Sequence, residues 1–99
     1  MATGQIRLTP SELRSDAVTY GNCGSDIEEI LRKLQQLQEK LRGDWEGAAF
    51  ERFDDQFQEL SPKVVMFADL MHDIKKQLED TAHDLEEFDQ KLSGRFGFK

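Results

Sequence analysis

The chain has 99 residues, of which 33% are charged and 37% hydrophobic, and its formal net charge is −7. This length allows one domain, and the composition is that of a soluble, helix-rich protein rather than a disordered one. The acidic balance opposes binding to nucleic acid or to an anionic membrane surface.

Targeting and redox signals are sparse. Cys23 is the single cysteine, so the chain cannot form an intrachain disulfide. Residues 1–8 contain one basic residue and no apolar run, so we expect no cleavable signal peptide, and we expect no transmembrane segment. Export by the general secretory route is therefore not expected.

The first predicted helix begins at Thr9-Pro10-Ser11-Glu12, where Thr9 can cap, Pro10 suits the first helical position and Glu12 completes a capping box. Apolar or small residues then recur in steps of four and three, which is typical of an amphipathic helix. They are Leu13, Ala17, Tyr20, Gly24, Ile27, Leu31, Leu34 and Leu41, with Gln38 as the polar exception. Because the stripe stays in phase through the Gly-rich segment 21–25, we predict one continuous helix over about residues 10–42.

A bend is predicted at 43–45, within the stretch Gly43-Asp44-Trp45-Glu46-Gly47. Gly43 suits the left-handed residue that closes a helix, and Asp44 suits the N-cap of the next one. Gly47 would let a backbone or a bulky ring come close. Trp45, the single tryptophan, is expected to pin the bend.

The second predicted helix covers about residues 46–93 and is followed by a short tail at 94–99. Its stripe consists of Phe53, Phe57, Leu60, Val64, Phe67, Met71, Ile74, Leu78, Thr81, Leu85, Phe88 and Leu92. The stripe crosses Pro62 in phase, so we predict one helix with a kink near residue 62 rather than two helices.

The fold expected from these elements is all-α: a helix-turn-helix hairpin, two copies of which form an antiparallel four-helix bundle. Folding at the bend would pair Leu34 with Phe53 and Leu13 with Ile74, and everything after about residue 78 would overhang. A second copy would cover that overhang. The predicted dimer interface consists of Val64, Phe67, Met71, Leu78 and Phe88. With a two-fold axis near Phe67, Trp45 of one chain would lie near Asp89 of the other.

These residues resemble a known family. Trp45-Glu46-Gly47 between two amphipathic helices, in a chain of about one hundred residues, is similar to the WXG-motif family of small, early-secreted-antigen-like substrates of type VII secretion. The segments 8–13, 45–49, 57–62 and 78–82 extend the resemblance over nearly the whole chain, which is most similar to the homodimeric branch from low-GC Gram-positive bacteria.

The resemblance implies a non-enzymatic protein, without cofactor, that is secreted as a folded dimer without signal-peptide cleavage. Its partners would be itself, the membrane ATPase of the secretion system and a co-secreted protein. The chain lacks the family's tyrosine-based export signal at the C-terminal end, but Leu85, Asp89, Leu92 and Phe96 match a related pattern. Those four residues, with Trp45 and Gly47 at the bend, are the candidate recognition elements.

Other site types are disfavoured. His72 and His83 lie three helical turns apart and cannot reach one metal ion. The carboxylates of Glu46, Asp54 and their neighbours lack a substrate pocket in a narrow bundle, so acid–base catalysis is not expected. Two rival functions stay open: a carrier that pairs with a larger helical toxin or a related small protein, and a cytoplasmic coiled-coil module that is not exported.

Overall fold

The computed structural model describes residues 8–45 and 47–95. Helix α1 spans Pro10–Asp44, helix α2 spans Ala48–Arg95, and the two pack against each other as an antiparallel hairpin. The predicted all-α hairpin is confirmed. The molecule measures 76 × 29 × 16 Å and its radius of gyration is 22.2 Å, whereas a compact domain of this length has about 13 Å. The hairpin is therefore a rod.

The start of α1 follows the predicted capping chemistry. Thr9 is extended, and its Oγ1 accepts a hydrogen bond from the backbone N–H of Glu12 at 3.1 Å. Its carbonyl accepts the backbone N–H of Leu13, and Pro10 occupies the first turn. The Thr9 side chain thereby satisfies one N–H that has no partner within the helix, and Pro10 has no N–H that would need one.

The Gly-rich segment of α1 is continuous helix, as predicted, and its small residues allow close packing. Gly21 and Gly24 are buried. A Cβ added to Gly24 would lie 2.8 Å from Nε2 of His72, and one added to Gly21 would lie 2.9 Å from Cδ of Lys75. The two glycines therefore form notches that receive side chains from α2.

The bend lies later than predicted. Helix α1 continues through Gly43 and Asp44 and ends at Trp45, whose N–H donates to the carbonyl of Leu41 at 2.8 Å. The left-handed residue is Gly47, with φ +108°, and not Gly43. The Gly47 carbonyl also accepts the N–H groups of Phe50 and Glu51, at 3.2 and 3.3 Å, and so begins α2.

The pairing of the helices also differs from the prediction. Gly24 faces His72, and Arg14 bonds to Glu86, whereas Leu13 was expected beside Ile74. When the centre of the bend moves one residue along the chain, each residue of α1 faces a residue of α2 two positions later. Helical side chains also lean toward their own N-terminus, so α1 side chains meet α2 residues that lie farther from the bend.

The predicted overhang after residue 78 is therefore wrong over most of its length. Ala82 is fully buried, and Leu78 and Leu85 are half-buried in the single chain. Phe88 remains exposed. Arg14, one turn after the start of α1, contacts Glu86, so α1 runs beside α2 at least that far.

Helix α2 continues through Pro62 without a break. Proline lacks the N–H that would bond to the carbonyl four residues earlier. The carbonyl left without this donor is that of Gln58. The hydroxyl of Ser61 donates to the neighbouring carbonyl, that of Phe57, at 2.9 Å. One helix is present rather than two, and the kink near residue 62 stays a prediction.

Candidate interaction surfaces

An aromatic cluster surrounds the bend. The ring of Trp45 lies 5.7 Å from that of Phe50, edge to face, and 5.8 Å from that of Phe53. Phe50 is buried, and the guanidinium of Arg42 lies 5.9 Å from its ring centre. Trp45 stays 40% exposed, so the cluster presents part of the indole at the tip of the rod.

A polar network lies directly beneath this cluster. The buried side chain of Gln38 donates to Oδ1 of Asp54 at 2.9 Å, and Arg42 donates to the same oxygen at 3.0 Å. The hydrogen bond from Gln38 and the charge and hydrogen bond of Arg42 lower the pKa of Asp54 below its ordinary value. The network links α1 to α2 next to the bend and fixes their pairing there.

One residue of the sequence points to this network. Gln38 is the polar exception in the α1 stripe, and a buried polar group needs a hydrogen-bond partner. Its partner Asp54 could not be identified, because that depends on the pairing of the two helices.

One face of the hairpin is apolar. On α1, Ile30, Leu34 and Leu37 lie on one flank of the buried stripe and are exposed. On α2, Phe53, Leu60 and Phe67 are exposed on the corresponding flank. At 100° per residue in two antiparallel helices, both flanks point to the same side of the hairpin. They form one broad surface, which we call the apolar face.

The opposite side of the hairpin is polar. Arg14 makes a two-pronged ion pair with Glu86 at 2.8 and 2.5 Å, and His72 lies 3.5 Å from Glu28. The Arg14 guanidinium lowers the pKa of the Glu86 carboxyl. The exposed pairs link the two helices, but each stabilises the hairpin only modestly.

The structure places the predicted interface residues at different depths. Phe67 and Phe88 are 53% and 59% exposed. Val64, Met71 and Leu78 are half-buried in the single chain, since they lie closer to α1. Of the five predicted interface residues, Phe67 and Phe88 are therefore the most accessible to another copy.

The predicted export residues are only partly within the described structure. Leu85 is half-buried, and Asp89, one turn later on α2, is exposed. Leu92 belongs to α2, but its side chain and the whole of Phe96 lie outside the described residues. Trp45 and Gly47 both lie in the bend.

Metal binding and membrane insertion are two further possibilities for the described residues. They contain no group of three or more histidine, cysteine or carboxylate side chains arranged to hold a metal ion. Neither described helix has an apolar stretch that could cross a bilayer.

Known proteins resemble this chain over most of its length. Residues 5–90 match the family WXG100, described as proteins of 100 residues with WXG. The type VII secretion system extracellular protein A of Staphylococcus aureus is 45% identical over 94 residues, which is 95% of this chain and 97% of that protein.

Solved structures agree with the fold. EsxA of Geobacillus thermodenitrificans superposes with a TM-score of 0.81 at 38% identity, covering 89% of this chain and 98% of that one. The secreted protein EsxB of Bacillus anthracis superposes with a TM-score of 0.78 at 22% identity, covering 88% and 99%, which supports the fold alone. The resemblance drawn from the bend motif is confirmed: the chain belongs to the WXG100 family of proteins of about one hundred residues with a Trp-x-Gly motif.

Proposed function

We propose that this chain is a small, non-enzymatic protein that a type VII secretion system exports as a folded, antiparallel homodimer. Its relatives at 45% identity are named type VII extracellular proteins, which confirms the predicted type of export and the extracellular location. These names do not specify the dimer or the residues that the secretion system recognises, and both are argued below from the structure.

The main support for a dimer is the exposed apolar face of the single chain. The buried apolar side chains of the described residues are few, and half of them are alanines: Leu13, Ala17, Leu31, Phe50, Ala68 and Ala82. Larger side chains on the apolar face, Leu60 and Phe67 among them, remain exposed. Burying such a side chain is worth about 1.5–3 kcal/mol, so a second copy would add a substantial part of the core.

The distribution of exposed apolar side chains along α2 favours an antiparallel arrangement of the two copies. The exposed stripe of α2 runs from Phe53 near the bend to Phe88 near the end, and Phe67 lies near its middle. A two-fold axis there would lay the end of α2 on the partner's bend, where Trp45 and Phe53 are exposed. A parallel pair would leave Phe88 without the aromatic cluster of the bend.

This arrangement supports a composite recognition site. Asp89 would lie beside the partner's Trp45, and the spacing of Leu85 and Leu92 on α2 would put them on the same side of the helix as Asp89. A membrane ATPase that contacts both parts would bind the assembled dimer better than a single chain. The secretion system would then distinguish the assembled dimer from a single chain before export.

A secretion assay tests the proposal. We expect Asp89→Ala to abolish export while the light-scattering mass stays near twice 11.4 kDa, because the carboxylate of Asp89 is exposed in the described structure. Asp84→Ala removes another exposed acid of α2 and should be exported normally. Trp45→Ala should also reduce export. Normal secretion of the Asp89 variant would contradict the assigned recognition role.

The mass of the protein purified alone separates the homodimer from the carrier hypothesis. A carrier for a larger helical toxin or a related small protein would keep the same apolar face for a different chain. A monomer, or an aggregate that becomes a defined complex only with that protein, would favour the carrier.

A further inference from the structure

The outer ridge of α2 is a second surface, which adjoins the apolar face at Phe67. It lies on the side of α2 that points away from α1. Met66 is two residues from the buried Ala68, and so about 200° away around the helix. Met66 is 69% exposed and Leu70 is 48% exposed. Neither the hairpin contact nor the flank centred on Phe67 accounts for Met66.

These two side chains form the apolar centre of a shallow depression of about 510 Å³. Its lining residues are Lys63, Met66, Phe67, Asp69, Leu70 and Asp73. Because methionine is flexible and polarisable, such a centre can adapt to an inserted side chain.

Acidic side chains flank this centre along the ridge in both directions. At 100° per residue, the positions within about 60° of Met66 include many exposed carboxylates. They are Glu51, Asp55, Glu59, Asp69, Asp73, Asp80, Asp84 and Glu87. Three basic residues lie nearby: Arg52 and Lys63 are about 40° and 60° from Met66 on the side of Leu70, and Lys76 is about 80° away on the other side, where it is paired with Asp80 at 3.2 Å. Among the side chains that the structure describes, Asp69 and Asp73 take part in no ion pair.

We propose that the outer ridge of α2 docks a basic amphipathic helix of another protein. One or two apolar side chains of that helix would contact Met66 and Leu70, and its lysines or arginines would lie over Asp69 and Asp73. Charge complementarity selects this partner: a second copy would bring a like-charged ridge, and an anionic membrane would be repelled. The inference does not depend on export or on the proposed dimer.

A model peptide tests the surface directly. The probe is a helical peptide of leucine and lysine, roughly 18 residues or five turns long, with leucines on one face. Its comparison peptide has the same composition in scrambled order, without an apolar stripe. We expect the ordered peptide to shift the backbone amide NMR signals of residues 63–73, and the scrambled peptide to bind at least about tenfold more weakly.

Matched variants separate this ridge from other exposed apolar groups. Met66→Ser combined with Leu70→Ser should weaken binding of the ordered peptide about tenfold, since two anchoring side chains are truncated. Val18→Ser removes a side chain of comparable exposure from α1 and should change binding less than about twofold. Asp69→Asn with Asp73→Asn should weaken binding and reduce its salt dependence, whereas Asp16→Asn with Asp26→Asn should not.

Three results would overturn the inference. Signals that shift on the apolar face, around Leu34 and Leu60, would place the peptide elsewhere. Equal binding of the scrambled peptide would leave charge alone as the cause. A double serine variant that stays helical but loses the light-scattering mass of the unsubstituted protein would assign Met66 and Leu70 to contacts between copies. Loss of export by itself would bear on the proposed function and not on this surface.

Discussion

Gly47 is the residue on which the bend depends. It has a φ of +108°, which side chains with a Cβ rarely adopt, and no other described residue has a positive φ. An added Cβ would meet no atom within 4 Å, so a substitution would strain the backbone rather than the packing. Gly43, four residues earlier, is in ordinary helix with open space around it.

The two glycines should therefore respond oppositely to alanine. Gly47→Ala is expected to lower the free energy of unfolding by about 1–2 kcal/mol, because a left-handed conformation is costly for alanine. Gly43→Ala is expected to raise it by about 0.5–1 kcal/mol, because alanine favours helix. Urea unfolding of both variants measures the difference, and equal effects would contradict the assignment of the bend.

The Asp54 carboxylate should make the hairpin sensitive to acid. Its pKa is lowered in the folded chain, mainly by Gln38 and then by Arg42, from an ordinary value of 3.8. Its stabilising contribution is therefore fully present above 3.8 and is lost as the pH falls through the lowered pKa. Urea unfolding at several pH values should show the wild type losing its advantage over Asp54→Asn in that range. Gln38→Met should weaken this pH dependence, and an unchanged dependence would exclude Gln38 as its cause.

The sequence predicted the bend within two residues but not the residue that turns it. Gly43 and Gly47 both suit a helix end, and Asp44 between them suits an N-cap. The choice depends on where Trp45 packs, and its contacts with Phe50 and Phe53 form only when α2 has begun. Local preference could not decide between two glycines four residues apart.

At the scale of the elements, α2 tolerates a proline in its interior. Pro62 is exposed and lies within a helix of 48 residues. The continuous apolar pattern on both sides predicted this, since two independent helices would have no reason to stay in phase.

Replacing this proline should stabilise the helix. Pro62→Ala restores a backbone N–H and removes a steric clash, and we expect a gain of about 1–3 kcal/mol in the free energy of unfolding. Pro10→Ala, at the first turn of α1, should be neutral or slightly destabilising because proline suits that position. Thermal unfolding compares the two. A destabilised Pro62 variant would show that the proline shape is needed for packing between helices or copies.

The existence of both helices could be predicted from their stripes, but their pairing could not. The four-three spacing fixes which residues face inward on each helix. This spacing contains no information on how far one helix is displaced along the other. The notch at Gly21 accepts Lys75, and the notch at Gly24 accepts His72, at one displacement only. Leu78 and Leu85, which the sequence places in an overhang, are therefore half-buried in the single chain.

At the scale of the whole molecule, the hairpin has a polar side and an apolar side. The ion pairs that link the helices, Arg14–Glu86 among them, lie opposite the apolar face. The single chain has a thin interior, and a dimer would double the number of helices around it.

Introducing a charge at Phe67 should separate the copies. Near a two-fold axis, Phe67→Glu brings two carboxylates together and buries them against apolar side chains, which is strongly unfavourable. We expect the light-scattering mass to fall toward 11.4 kDa while the far-ultraviolet circular dichroism stays helical. Val18→Glu, on the far side of α1, is the control and should leave the mass unchanged. A Phe67 variant with unchanged mass would move the interface elsewhere.

The narrow cross-section of the hairpin determines the size of the opening through which it can pass. A single hairpin is 76 Å long but only 29 × 16 Å in cross-section. An opening that takes one hairpin end-on has to admit both of these dimensions, and the proposed dimer needs room for two hairpins side by side, however long the helices are. Passage end-on would therefore not require the helices to unfold, and additional helical turns would lengthen the path without changing the width of the opening that is needed.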